Sequence, residues 1–441
     1  MPGTAPRPSQ HIGYREATAL GVGGIIGAGI FVLSGTASGA AGPAVVLSFA
    51  IAFVASLILS LCYAELSSMH DDSGGPYAYA KRHLPEVVAT LVGWANWGAW
   101  MCASAYVGIG AGSYLHLLLP GISQPVGSVL VIAVFTVLNL FGIHFSGRVQ
   151  FLVLILEVSL LLAFIAVGLV HVDPHRFVPF MPNGTAGVLA AALIGFLSLT
   201  GWDAVVVSAE EIRNPRRVIP LAILSSLGVS FLLYAGLLLV EDGVIPWFKL
   251  GQSDTPVADV SRVFLGTYGP MVLDGIVLVA LFAATNSNLI VISRSALVLA
   301  RDGLAPRVLA RRFGREHVPI VAVLLAGVAQ AGMSVWSNTR FAVSATGFLY
   351  TLTFVSSIIA LFLARRRGIR AEFRTPLYPI VPIVALALCL VFLVSAGIPG
   401  VISGSCWLLV GLAYWWRQRR VVATHRPYDG HARLIGESVD G

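Results

Sequence analysis

Residues 21–31 read GVGGIIGAGIF, with glycine at positions 21, 23, 24, 27 and 29, inside a segment from Ala17 to Ala64 that has no Asp, Glu, Lys or Arg. Each glycine costs a continuous helix about 0.5–1 kcal/mol relative to alanine. A long uncharged run belongs in a bilayer, where unpaired backbone is tolerated only beside a cavity or buried in protein. Two readings fit these residues. A spanning helix breaks mid-bilayer and offers its backbone to a solute, or helices pack closely through small residues. A second stretch, Phe196 to Pro220, reads FLSLTGWDAVVVSAEEIRNPRRVIP. Ser198, Thr200 and Gly201 fall near mid-span, followed by Asp203. A carboxyl at that depth is costly and points to function; the plain alternative is a hydrogen bond that pins a helix break. Glu157, which ends the run FLVLILE, is another deep carboxyl. It lies nine residues past Arg148, about 13 Å into a helix at ~1.5 Å per residue. It carries a proton, holds a sodium ion, or stays neutral against a neighbouring helix.

The elements that would position these groups follow from composition. The chain of 441 residues is 57% hydrophobic and 11% charged, with a mean hydropathy of +0.84, which excludes an ordinary soluble domain. Val87 to Gly147 and Thr375 to Trp416 contain no Asp, Glu, Lys or Arg. Each holds two spans of about 20 residues, divided at Pro120-Gly121 and Pro399-Gly400. Twelve spans are expected, near 15–38, 43–69, 86–119, 126–145, 149–171, 187–211, 218–240, 269–303, 318–338, 341–364, 378–397 and 401–417. With the N-terminus in the cytoplasm, all of the 28 basic residues except Arg176, Lys249, Arg262 and Arg340 fall on cytoplasmic segments or span ends. This is the positive-inside bias, and it puts both termini inside. The same bias accounts for the net charge of +7, and the scatter of arginines over short loops speaks against a nucleic-acid partner.

Cys62, Cys102, Cys389 and Cys406 lie in expected spans without metal-ligand spacing and read as small apolar side chains. No cleavable signal peptide is expected, and residues 418–441 read as a mobile cytoplasmic tail. No Walker A loop is present, so direct ATP drive is not expected. His116 and His144 have no neighbours suited to a membrane-embedded enzyme. No cofactor is expected. Spans one and six hold the same place in two sets of five and, by odd spacing, run in opposite directions. Gly-interrupted segments at matching positions of two halves point to a transporter site.

These residues resemble a family. GVGGIIGAGIF, SGGPYAYA at 73–80, GWDA from Gly201 followed by AEEIRNP at 209–215, and ARDGLAP at 300–306 are similar to motifs of the amino acid–polyamine–organocation superfamily, in its cationic-amino-acid-transporter branch. The resemblance runs over residues 12–420. It implies an all-α polytopic membrane protein of about twelve helices, in which helices 1 and 6 are broken. Two inverted five-helix repeats, 15–171 and 187–364, are followed by two further helices at 378–417, with tails at 1–14 and 418–441. At such a break, free N–H groups carry partial positive charge and free carbonyls partial negative charge, which suits a zwitterion. The carboxylate of an amino acid is expected on Gly27, Ala28 and Gly29. Its ammonium is expected against carbonyls of Ile25, Ser198 and Leu199, beside Gly201. Phe196 is the candidate gate, with packing as the plain alternative. Asn288, in the polar run Thr285–Asn288, resembles a pocket position. Ala103, Tyr106 and Gly110 share a helical face, as ordinary core residues also do. Glu65 and the pair Glu210 and Glu211 are read as partners of cytoplasmic arginines that seal the inner side. Relatives often carry a lysine where this chain has Glu157, which puts the usual coupling scheme in doubt.

The expected function is secondary active transport of amino acids across the plasma membrane by alternating access, as proton-coupled uptake of a neutral amino acid. The alternatives are sodium coupling at Glu157, exchange of amino acids or polyamines, and carriage of cationic amino acids; a membrane enzyme or a receptor ranks below them. The expected partners are the substrate, the coupling ion and the lipid bilayer, for a monomer or weak dimer.

Overall fold

The computed structural model describes residues 12–69, 75–141, 147–203, 205, 212–266, 269–311 and 318–424. Over these residues the fold is all α-helical, with one isolated bridge between Ile12 and Ile212. Helices α1 (Tyr14–Ile25) and α2 (Ala28–Ala41) are the two parts of the first expected span, and α3 covers Val45–Ser68. A short α4 (Gly75–His83) leads into the long α5 (Glu86–Leu118), then α6 (Gln124–Leu140), α7 (Gly147–Gly168) and α8 (Gly184–Ser198). The second part of the chain gives α9 (Pro215–Val244), two short helices α10 (Trp247–Leu250) and α11 (Pro256–Leu265), and α12 (Gly269–Arg301). It closes with α13 (Ile320–Trp336), α14 (Thr339–Arg366), α15 (Ile380–Ser395) and α16 (Gly397–Thr424).

Eleven of the twelve expected spans overlap one of these helices or the α1/α2 pair along most of their length; of the sixth, 187–211, α8 covers the part up to Ser198, and residues 204 and 206–211 lie outside the described residues. Among the described residues six helical stretches are long and apolar enough to cross a membrane: 29–68, 151–171, 217–244, 273–301, 339–366 and 397–420. Shorter apolar helices at α6, α8, α13 and α15 complete the set with α5, whose Trp, Tyr, Ser and Gly content dilutes its apolar character. Large apolar side chains face outward, including Leu232, Val328 and Val394, each at least 70% exposed. Water would penalise such a surface, whereas hydrocarbon accepts it.

Helix α5 is the hub and packs against α6, α12, α13, α14 and α16. Its glycines let neighbours approach. A Cβ at Gly98 would collide with Trp407, and one at Gly110 with Val32 of α2. The face Ala103/Tyr106/Gly110 is thus split between roles, because Gly110 packs α2 while Tyr106 reaches the central cavity.

The two broken segments cross in contact. Gly201 has φ of +116°, and a Cβ there would sit 2.0 Å from the carbonyl oxygen of Gly24. Gly27 differs: a Cβ there would meet nothing within 4 Å. We therefore expect Gly201→Ala to lower stability by about 3 kcal/mol or more, since it combines overpacking with a forbidden backbone conformation. Gly27→Ala should stay within about 1 kcal/mol of wild type. Thermal unfolding of both variants in detergent checks this; equal midpoints would remove the crossing from its structural role.

Candidate functional site

The first break forms where Ile26 turns extended (φ −74°, ψ 109°) and Gly27 follows, also extended (φ −162°, ψ −157°). The Ile26 N–H still donates to the Val22 oxygen at 2.7 Å, which ends α1 in order. Ala28 opens α2, and the first N–H groups of α2 have no partner within the helix and carry its positive dipole end. The second break forms where α8 ends at Ser198. The Leu199 N–H donates to the Gly195 oxygen at 2.9 Å, and Gly201 reverses the backbone. The hydroxyls of Ser198 and Thr200 donate back into their own helix, to the oxygens of Ile194 (3.0 Å) and Leu197 (2.6 Å). Their lone pairs remain as acceptors.

Between the breaks lies a cavity of about 450 Å³. Of the sequence-predicted residues, Ile25, Gly27, Gly29, Ser198, Gly201, Asp203, Glu157 and Asn288 all line it. Its remaining wall is built from Trp100, Tyr106, Val107 and Ala284, with the hydroxyls of Thr200 and Ser287. Asn288 is buried, and its amide nitrogen has no partner. Ser287 lines the cavity beside it. Thr285 and Asn286 turn elsewhere. The Asn286 amide oxygen accepts from Asn139 of α6 at 2.7 Å, and Thr285 is buried. Glu157 is 4% exposed. Among the described residues no ion pair involves Glu157 or Asp203.

Three predicted residues lie elsewhere. Phe196 is fully buried and does not line the cavity. It stacks on Phe392 at 4.7 Å between centroids and meets Phe354 edge-on at 5.4 Å. At the end of α8 its side chain points toward α14 and α15 rather than across the break, so it is core. Leu199 is also fully buried outside the cavity lining. Glu65 stands on the arginine-rich face, in a bidentate pair with Arg365 at 2.7 and 2.8 Å. The Thr375 N–H donates to the same carboxyl at 2.9 Å, and the Arg365 guanidinium lies 3.8 Å over the Tyr378 ring. Glu65 is therefore a locked structural ion pair. Glu210, Glu211, Ser73 and Gly74 lie outside the described residues.

Other contacts are invisible in sequence. The Tyr234 hydroxyl of α9 donates to the Ile25 oxygen at 2.9 Å, so the carbonyl expected to stand open is already an acceptor. The ARDGLAP turn acts through Asp302, which accepts from Lys81 at 2.8 Å and from the Tyr77 hydroxyl at 2.5 Å. Burial, the hydrogen bond and the nearby carboxylate of Asp302 hold the Tyr77 phenol well above its usual range, so it remains a donor at any physiological pH.

The amino acid permease family matches residues 12–413. The chain is 32% identical to the methylthioribose transporter of Bacillus subtilis (strain 168), over 92% of both chains. It is 31% identical to the branched-chain amino acid permease of the same organism, over 93% of both chains. A vacuolar cationic amino acid transporter of Arabidopsis thaliana is 32% identical over 72% of this chain and 57% of the relative. The chain belongs to the amino acid permease family.

Removing one partner of a buried ion pair costs about 3 kcal/mol. Glu65→Gln should lower stability by about this amount, because Arg365 loses its charge match while Thr375 keeps an acceptor. Equal unfolding temperatures for wild type and Glu65→Gln would show that the pair contributes nothing.

Proposed function

We propose that this member of the amino acid permease family is a secondary transporter that carries neutral amino acids across the plasma membrane by alternating access, coupled to protons. Secondary amino acid transport follows from family membership and from relatives that are amino acid permeases. Such relatives are transporters, not enzymes. The observation that carries the substrate reading is the cavity at the two breaks. Donors at the start of α2 suit a carboxylate, and acceptors at the end of α8 suit an ammonium. The apolar wall of Trp100, Tyr106, Val107 and Ala284 suits an uncharged side chain. Asn288, with a free amide nitrogen, is proposed to orient the carboxylate end.

Glu157 is proposed as the proton carrier. A carboxyl buried without a cation holds a proton or recruits an ion. In the sodium reading the same carboxyl is completed by carbonyls of the first break and by Ser287. Asp203 is proposed to respond to the same cavity. The chain is read as two inverted repeats, 15–171 and 187–364, with both termini in the cytoplasm, as a monomer or weak dimer. A second reading comes from the relative that transports methylthioribose. That solute has neither carboxylate nor ammonium, so it would leave the charges at both breaks unmatched.

A thermal-shift screen over neutral and cationic amino acids, polyamines and methylthioribose separates these readings. A ligand at about 100 times its Kd should stabilise the protein by about 2.7 kcal/mol. We expect neutral amino acids to do so and Gly27→Leu, whose side chain would enter the cavity, to abolish the shift while remaining folded. Stabilisation by methylthioribose alone would overturn the zwitterion site. In proteoliposomes an imposed pH gradient should drive concentrative uptake without sodium, and Glu157→Gln should lose the gradient dependence. Proton coupling that survives in Glu157→Gln would remove its carrier role; strict sodium dependence in wild type would replace it with an ion site.

A further inference from the structure

Two adjacent carboxyls stand apart from the cavity, near the end of α9. Glu241 is fully buried and Asp242 is 2% exposed. Each accepts a hydroxyl from α2. Ser34 Oγ donates to Glu241 Oε1 at 3.0 Å, and Ser38 Oγ donates to Asp242 Oδ2 at 3.1 Å. Ser34 and Ser38 are four residues apart, so they lie one turn apart on one face of α2. The second oxygen of each carboxyl, Glu241 Oε2 and Asp242 Oδ1, is buried without a partner.

The α2 helix is clamped from another side too. A Cβ at Gly35 would sit 2.5 Å from the Leu250 oxygen, and one at Gly39 would sit 2.5 Å from the Gly251 Cα. The segment after α9 therefore presses against α2, and the two serine–carboxyl bonds tie α2 to α9 itself. The other end of α2 is the start of the candidate site, at Gly27 to Gly29. Whatever holds α2 in place fixes half of the cavity.

Among the described residues no ion pair reaches Glu241 or Asp242. Asp259 on α11 and Tyr114 on α5 lie near Glu241, and the elements packed on α9 also carry the exposed Lys249 and His171. Asp173, His175 and Arg176 lie on the turn whose Asp173 N–H donates to the Gly243 oxygen at 2.9 Å. The Arg262 guanidinium is engaged by Asp259 at 2.8 Å and lies 4.0 Å from Asp274. Arg176 faces Asp173 at 3.8 Å. The Tyr114 hydroxyl donates to the Phe31 oxygen at 3.4 Å. The two arginines nearest the pair are thus already engaged by other carboxylates. Burying two adjacent charges in such surroundings is costly, since desolvation and mutual repulsion add.

We propose that Glu241 and Asp242 form a proton-operated latch that positions α2. Protonated, they let α2 pack against α9 with no buried charge. When the interface opens to water the protons leave; the two charge-assisted serine bonds then gain less than reburying two adjacent charges costs, and α2 stays released. This deepens the transport reading, because release of α2 would open one side of the cavity. It names positioning residues distinct from Glu157, and its test needs neither a substrate nor a membrane orientation.

Hydrogen–deuterium exchange of the full chain in lipid nanodiscs, at about pD 5.5 and about pD 8.5 with labelling times scaled to the intrinsic rate, reads local opening directly. In wild type, protection of α2 should fall by about tenfold at the higher pD while α14 is unchanged. E241Q/D242N keeps the accepting oxygens without charge, so its α2 protection should be the same at both values. S34A/S38A should expose α2 even at the lower value. Equal α2 protection of wild type at both values would overturn the latch. So would a pH response that persists in E241Q/D242N, or full protection of α2 in S34A/S38A. If the double amide variant does not insert, E241Q and D242N singly should each shrink the response; an unchanged response in both overturns the proposal.

Discussion

The contact between Gly201 and the Gly24 carbonyl is the constraint on which the rest depends. Two helices interrupted in mid-bilayer leave backbone groups that lipid cannot satisfy. The structure solves this by crossing the interruptions, so that each break is covered by the other rather than by hydrocarbon. That crossing needs a backbone conformation of φ +116° and the absence of a side chain, and only glycine supplies both. The cavity of about 450 Å³ is the space left beside the crossing. Its polar lining combines the backbone left by the helix ends with side chains such as Ser198, Asp203, Glu157 and Asn288.

What surrounds the crossing divides into a rigid side and a polar side. On the rigid side, Phe196 is held by Phe354 and Phe392. Trp202 packs edge-on against Tyr63 at 5.4 Å, and the Tyr63 hydroxyl accepts from Ser357 at 2.8 Å. The end of α8 and the residues after its break are thus anchored to α3, α14 and α15. On the polar side, α2 is tied to α9 by two serine–carboxyl bonds, and α1 by the Tyr234 hydroxyl on the Ile25 oxygen. Aromatic contacts lock geometry regardless of pH, while hydroxyl–carboxyl bonds depend on the charge state of the acceptor.

Much of this was legible in the sequence, for a physical reason. A helix break in hydrocarbon requires local residues, and the glycines at 21–29 and the Ser198–Gly201 cluster are local signals. Glu157 and Asn288 were legible because a polar group in an apolar run is conspicuous by itself. For Phe196 the sequence leaves gate and packing open, because an apolar residue beside a break gives no sign of which way it points; its neighbours Phe354 and Phe392, which make it core, are more than 150 residues away in the chain. Tyr234 gives no sign in the sequence for the same reason. Glu241 and Asp242 fell just beyond the expected span 218–240, where a charge is ordinarily cheap because water reaches it. Only the fold shows that α2 and the segment after α9 close over them.

The buried carboxyls then sort by what matches their charge. Glu65 has a permanent guanidinium, two hydrogen bonds from it and one from backbone. A charge so matched serves to hold helices together. Glu241 and Asp242 have hydroxyl donors and are in no ion pair among the described residues, so their charge is costly unless water reaches them. Glu157 and Asp203 are in no ion pair among the described residues, and they line a space that a solute can fill. A zwitterion brings no net charge into that space, so it leaves both carboxyls unmatched; a proton or a metal cation has to supply the balance. A cationic solute would bring its own. Under the proposed mechanism the identity of the coupling ion and the charge of the substrate are therefore one electrostatic question, answered together by whichever positive charge neutralises Glu157 while the solute crosses.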